Sequence, residues 1–234
     1  YSKKFSFIKY VNKKSINKPS PGKKIIQAFN YGLKHSINDY DLIGKFDGDI
    51  ILPDNYLYTI MNDFMQNKKL GLCSGVIANK KNNSWKVENR YNNDHARGAI
   101  KLYSRKCFNK IGGLNETMGW DTLDEMKILY NKFEIKIYNK IIVKQMRNTA
   151  SRYKKNQYKK QGRVMYLLRY NLILLLIGSI KLAITSKSII SFCHCIIGYI
   201  NSWINKEKYI VNSEIGKFIR NHRYNNILKK ITNV

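Results

Sequence analysis

The chain has 234 residues, with 43 Lys and Arg against 15 Asp and Glu, a net charge of +28, and 44% aliphatic and aromatic residues. That apolar share is enough for a real core, and the length gives room for one large domain or a domain with an appendage. Cys73, Cys107, Cys193 and Cys195 form no CxxC pair and no zinc spacing, which excludes a zinc module and leaves reduced cytosolic thiols as the expectation.

The charge suggests a polyanionic partner, either nucleic acid or an anionic membrane surface. Runs such as NKKNN (79–83) also fit the Lys/Asn usage of an AT-rich genome, so part of the charge is ordinary solvated surface. The sequence opens on Tyr1 with no signal peptide, and the expectation is a chain that begins inside a larger protein.

PSPGKKIIQAFNYGLKHS (19–36) reads as a loop and then a helix, with Ile25, Ile26, Phe29 and Leu33 at helical spacing. A short strand over about Leu42 to Phe46 leads into Asp47-Gly48-Asp49. A second amphipathic helix follows over Asn55–Gln66, with Leu57, Ile60, Met61 and Phe64 on one face. GLCSGVIA (71–78) is a strand, and GAIKLYSRKCFNKIGGLNE (98–116) gives a strand, a short helix and a Gly112-Gly113 turn. In MGWDTLDEMKILYNKF (118–133), a helix beginning near Thr122 places Asp124 and Glu125 in its first turn, where the macrodipole favours them. IKIYNKIIVKQMR (135–147) reads as a late strand. The alternation of strand and helix argues for an α/β domain with a mostly parallel sheet over residues 1–150.

Past residue 150 a cationic connector, SRYKKNQYKKQGR, opens a basic helical extension over 151–234. It contains two apolar runs, Leu172–Ile180 and Ser188–Ile204, flanked by Arg169, Lys181, Lys187, Lys206 and Lys208. Both are short for a bilayer crossing, which needs roughly 20 residues. They read either as helices lying in the lipid interface or as a helical cap over a soluble core. A last amphipathic helix over Asn212–Ile231 has Ile215, Phe218, Ile219 and Leu228 on its inward face.

Two acidic groups stand out in so basic a chain. Carboxylates at i and i+2 after a strand, split by a small residue, can share a divalent cation with substrate phosphates, and the carboxyl edge of a parallel sheet is where open α/β folds place ligands. Asp47 and Asp49 meet that description. Asp39 and Asp41 do not, because they precede the strand and flank a tyrosine. Asp121-Thr122-Leu123-Asp124-Glu125 supplies either a general base or helix N-terminal capping, two roles that are compatible.

FDGDIILP (46–53), RGAIKLYSRKCFNKIGGLNE (97–116) and GWDTLDEMK (119–127), in that order, resemble a bacterial family 2 glycosyltransferase of the GT-A fold, in a subgroup with a WDT-x-DE acidic motif. The resemblance runs from about Pro19 to Arg147 and weakens beyond. It implies an enzyme that transfers sugar from a nucleoside-diphosphate donor to a hydroxyl acceptor, with inversion. It further implies Mg2+ or Mn2+ held by Asp47 and Asp49. Asp121 matches the base, with Asp124 as runner-up. Lys23, Asp47, Asp49, Gly98 and Arg147 are the expected donor-binding positions; Arg97 and Arg163 are weaker candidates for phosphate, and Trp120 for stacking on a sugar.

The expected partners are the nucleotide-sugar donor, a carbohydrate or lipid-linked acceptor of cell-surface polysaccharide or glycolipid synthesis, and an anionic membrane contacted peripherally from the cytoplasmic side. Only 46 residues precede Asp47, and no opening strand is evident among them. The expectation is therefore that an N-terminal part carrying the nucleotide-base pocket is missing and that the fragment alone is inactive. A polyanion-binding module and a degenerate, non-catalytic transferase are the competing readings. Nucleic acid is not expected as a partner, since the charges gather into no stripe and no nucleic-acid-binding motif is legible.

Overall fold

Strand β1 (Leu42–Phe46) runs antiparallel to β5 (Ile100–Ser104), and β5 runs antiparallel to β3 (Leu70–Lys81). β3 then pairs in parallel with β6 (Glu134–Gln145), which carries the two-residue β2 (Ile50–Ile51) on its far side. The path is β1-β5-β3-β6-β2, and β4 (Ser84–Val87) hairpins onto β3. The computed structural model describes residues 2–14, 20, 22–82, 84–87, 95–147 and 157–232. Within it, Tyr1–Asn148 and Thr149–Val234 form two compact units.

The expected mostly parallel sheet is corrected here: β3 with β6 is the one parallel pairing among the described residues. The helical crossover between β1 and β3 does leave those strands pointing the same way, as such crossovers do. β5, however, slots between them in the opposite sense. Alternation of strand and helix along the sequence carries no information about that insertion.

Successive residues of the central strands point to opposite faces, which divides the core in two. On one face Leu72 and Tyr103 meet α1 (Lys23–Leu33), α3 (Arg105–Lys110) and α4 (Trp120–Tyr130) through Ile26, Phe108, Trp120 and Ile128. On the other, Cys73 and Leu102 meet Tyr56, Ile60 and Phe64 of α2 (Tyr56–Gln66). The inward stripe of α2 is therefore Tyr56, Ile60 and Phe64, while Leu57 and Met61 are exposed.

The second unit holds α5 (Gln157–Leu167), α6 (Leu172–Ser186), α7 (Ile189–Ile204) and α8 (Ser213–Thr232). α5 and α7 approach so closely that a Cβ on Gly162 would stand 1.8 Å from the Cys195 carbonyl oxygen, and one on Gly198 would stand 1.9 Å from that of Lys159. In α8 the buried positions are Gly216 and Ile219, and Leu228 is exposed. Among the described residues no helix is long and apolar enough to cross a membrane.

Candidate active site

β1 alternates in burial, with Ile43 and Lys45 turned inward. Lys45 faces Lys101 of β5 directly in the antiparallel register, and the two side chains are only 3% and 0% exposed. Like charges opposite each other in a strand pair repel, and a buried ammonium needs partners. Each lysine finds its own set. Lys45 Nζ donates to the Asp47 carboxylate and, at 2.8 Å, to the Gly98 carbonyl oxygen. Lys101 Nζ donates to Asp124 Oδ1 and Oδ2 at 2.8 and 3.0 Å, to Glu125 Oε1 at 3.2 Å and to the Asp121 carbonyl oxygen at 2.7 Å. The Trp120 ring lies against both, with its centroid 5.3 Å from one Nζ and 5.4 Å from the other, in cation–π range.

Helix α4 begins at Trp120, two residues earlier than the sequence spacing predicts, after Gly119 in the left-handed region. That start places Asp121 in the first turn, and Asp124 and Glu125 lie past it and are buried, so their expected place in the first turn is corrected. Burial first of all, outweighing the attraction of Lys101, pushes Asp124 up to about 6, and the Tyr103 hydroxyl donates to the same carboxylate. Glu125 accepts from the Ala96 amide at 2.8 Å and meets His95 Nδ1 at 2.8 Å, which pins the 95–97 segment to α4.

Asp121 keeps one third of its side chain exposed and lies 3.6 Å from His95 Nε2. Burial opposes its charge, but His95, Lys101 and Arg97 together outweigh that and hold its carboxyl down at about 2. His95 is the converse: burial disfavours its charge, yet Asp121 and Glu125 raise it to about 9. At neutral pH the two are an imidazolium and a carboxylate.

Gly98 is where the acidic groups meet. A Cβ there would stand 2.7 Å from Trp120 Cζ2 and 3.4 Å from Asp121 Cβ, so the backbone reaches α4 only because the side chain is absent. The Gly98 carbonyl holds Lys45 and, through it, Asp47, while the Asp47 amide donates to Ala99 at 3.0 Å. The aspartate after β1 and the aspartate after Trp120 therefore share one cluster across Gly98. Asp49 is tied to the same turn, its carbonyl oxygen accepting from the Met146 amide at 2.8 Å. Arg147, the next residue, is exposed at that edge.

Lys23 is exposed at the start of α1, and Gly22 sits with φ 77° where a Cβ would come within 2.9 Å of Thr117 and 3.4 Å of Trp120 Cδ1, next to the start of α4. Asp39 pairs with Arg105 at the opposite end of β1. Arg163 is engaged by Glu207 in the second unit, so that candidate phosphate ligand already has a carboxylate partner.

Among the described residues no group of three or more His, Cys, Asp or Glu is arranged to hold a metal ion. The Asp47 carboxylate already has the Lys45 ammonium as its partner. Lys45, Lys101, His95 and Tyr103 are participants that the sequence reading missed. The available signal was a lysine in each of two short strands, LIGKF and IKLYS, in phase with the inward residues Ile43 and Tyr103.

No family model matches the chain, and no curated protein matches it. Among solved structures, it is similar to the mannosyltransferase PcManGT from Pyrobaculum calidifontis, solved in complex with GDP-Man and Mn2+. The identity is 9%, over 86% of this chain and 59% of that chain, with a TM-score of 0.41. The chain thus spans 59% of that protein's length, and at this identity the likeness fixes no residue correspondence.

Proposed function

We propose that the chain is the metal- and acceptor-side portion of a family 2 glycosyltransferase, moving a sugar from a nucleoside-diphosphate donor to a hydroxyl with inversion. The observation that carries this reading is the convergence on Gly98 of Asp47, held through Lys45, and of Asp121, beside the glycine itself. A protein that merely binds polyanions has no use for carboxylates gathered at one strand end, opposed to buried lysines.

In this reading the acceptor oxygen attacks the anomeric carbon, the bond to the donor phosphate breaks, and the diphosphate leaves with the electron pair. Asp121 takes the acceptor proton, since it stands beside Gly98 with part of its side chain open to solvent; its pairing with His95 lowers its basicity, which substrate binding has to offset. Asp124 supports the site from below: with both oxygens on Lys101 and one on Tyr103, it is a positioning residue. Lys45 fixes Asp47 and lowers the net negative charge of the turn, so that a dianionic diphosphate meets less repulsion. Asp49 and Arg147 lie at the edge where the donor would enter, with Lys23 by the start of α4. A Mg2+ or Mn2+ ion shared by Asp47, Asp49 and the diphosphate would supply charge neutralisation of the leaving group. The acceptor class is a carbohydrate or lipid-linked hydroxyl of cell-surface polysaccharide or glycolipid synthesis.

The test is release of UDP or GDP from a panel of nucleotide sugars by the full-length protein with Mn2+ present. Donor turnover that is lost in Asp49→Ala and in Asp121→Asn supports the reading. A folded full-length protein that binds no nucleotide sugar overturns it.

A further inference from the structure

Helix α7 is built inside out for a water-soluble bundle. The residues it buries are small, Ser191, Cys195, Gly198 and Ser202, and Cys195 and Gly198 meet α5 at close range. Its large apolar residues Ile189, Ile190, Ile197, Trp203 and Ile204 are exposed. α6 buries Leu174 and Leu175 as well as Ser179, and Ile173, Ile177, Ile180 and Ile184 recur outward at helical spacing. Small residues at helix contacts and large aliphatics outside are the pattern expected where the surroundings are hydrocarbon. In water, so many exposed large apolar residues on two neighbouring helices mark a docking surface.

We infer that the exposed face of α6 and α7 seats in the interface of a bilayer carrying anionic phospholipid. Length excludes a crossing: 15 and 16 residues span about 22 to 24 Å, against about 30 Å of hydrocarbon. Charge selects the anionic lipid. Residues 157–232 hold thirteen Lys and Arg and two glutamates, and one of those glutamates, Glu207, is held by Arg163. Lys181 lies within the α6 stretch, between Ile180 and Ile184, and other cations stand at the helix ends. Lys187 turns the chain between the helices, and Lys206 and Lys208 follow Trp203 and Ile204 directly. Beyond α7 lies a hollow lined by Tyr166, Arg169, Lys206, Glu207, Lys208 and Tyr209, with the Arg169 guanidinium 3.9 Å from the Tyr209 ring centroid. Tryptophan at that border matches its preference for the headgroup level. A lipid surface covers a long, two-helix apolar face and satisfies its cationic rim together, which a second copy of the same cationic unit would not.

The test is flotation of the full chain with phosphatidylcholine vesicles, with and without phosphatidylglycerol. Binding is expected to be about tenfold or more tighter with the anionic lipid and to weaken in high salt. Trp203 emission should shift to the blue on binding, the shift being absent in Trp203→Phe. Ile184→Asp with Ile189→Asp should abolish flotation; the two residues are 72% and 70% exposed, so the fold and its melting temperature should be unchanged. The inference is overturned by failure to float with either vesicle or by flotation that survives the double aspartate. A dimer in light scattering that the aspartates dissociate, with no vesicle binding, also overturns it. Flotation needs neither donor nor transfer, so its outcome is separate from that of the transferase reading.

Discussion

Lys45 and Lys101 stand directly opposite each other across β1 and β5, both buried, and the Trp120 ring lies against both ammonium groups. Two buried cations in this register persist only because each is held by its own carboxylates. The pair is therefore the hinge between the two acidic groups: Lys45 looks to the turn after β1, Lys101 to the first turns of α4. The partners differ in burial, and so should the consequences. Lys101→Met strands Asp124 and Glu125, both below 5% exposed, and is expected to cost about 3–5 kcal/mol of stability. Lys45→Met frees Asp47, whose side chain is 28% exposed and can hydrate, and should cost distinctly less. Urea unfolding of the two variants checks the order, and equal costs would contradict the division of partners.

Asp121 and Asp124 lie one helical turn apart and face different surroundings, so their amides should behave differently. Asp121→Asn leaves the core untouched. It should lower donor turnover by about 100-fold or more, the scale of a lost general base, with only a modest fall in melting temperature from the lost pairing with His95. Asp124→Asn weakens the hold on Lys101 and Tyr103, and is expected to lower the melting temperature while the folded fraction keeps most of its turnover. Parallel melting and turnover measurements separate the two, and a stable but inactive Asp124→Asn would exchange their roles.

That separation was only half legible in the sequence. Apolar spacing located the central elements, and the two acidic motifs were visible as such. The start of α4 was not, because Gly119 begins the helix through its left-handed conformation with no capping side chain. The burial of Asp124 was not either, because its partners Lys101 and Tyr103 come from β5, beyond the reach of local spacing. The face of α2 failed for a related reason: Leu57 and Met61 are as apolar as Ile60, and packing against β3 selects Tyr56, Ile60 and Phe64 instead. The lysines were hidden by the ordinary expectation that a lysine in a very basic chain is surface. The sheet order depends on β5 entering between β1 and β3, a long-range choice that local pattern does not encode.

Gly98 is predicted to be intolerant of a single methyl group. Its Cβ would fall 2.7 Å from a ring carbon of Trp120, and that ring cannot retreat without leaving Lys45 and Lys101. Gly98→Ala should cost about 1–3 kcal/mol, the range for an overpacked core. It should also reduce donor turnover beyond the loss of folded protein, because Asp121 Cβ is the next atom the methyl meets. Compensation by Trp120→Phe, which opens space at the clash, distinguishes crowding from a loss of backbone freedom. Failure of the smaller ring to restore stability would sink the steric explanation.

His95 sets the last expectation, a loss of stability on the alkaline side. Its imidazole faces Asp121 and Glu125 of α4, with Arg97 and Lys101 as the nearby cations acting on Asp121, and the two carboxylates raise it from 6.5 to about 9. A group whose folded value lies above its unfolded one binds the extra proton in the folded state. Its contribution is therefore complete below about 6.5 and disappears as pH rises through about 9. The contribution is at most about 3 kcal/mol, since solvent reaches part of the ring. Asp121 runs the other way: held down at about 2, it gives stability above its ordinary value of 3.8 that is lost as pH falls towards 2. Unfolding free energy measured between neutral pH and the alkaline limit should decline in the wild type and stay flatter in His95→Gln. That variant keeps a hydrogen-bonding side chain toward Glu125 but carries no titrating charge. An identical decline in both proteins would place the responsible proton elsewhere.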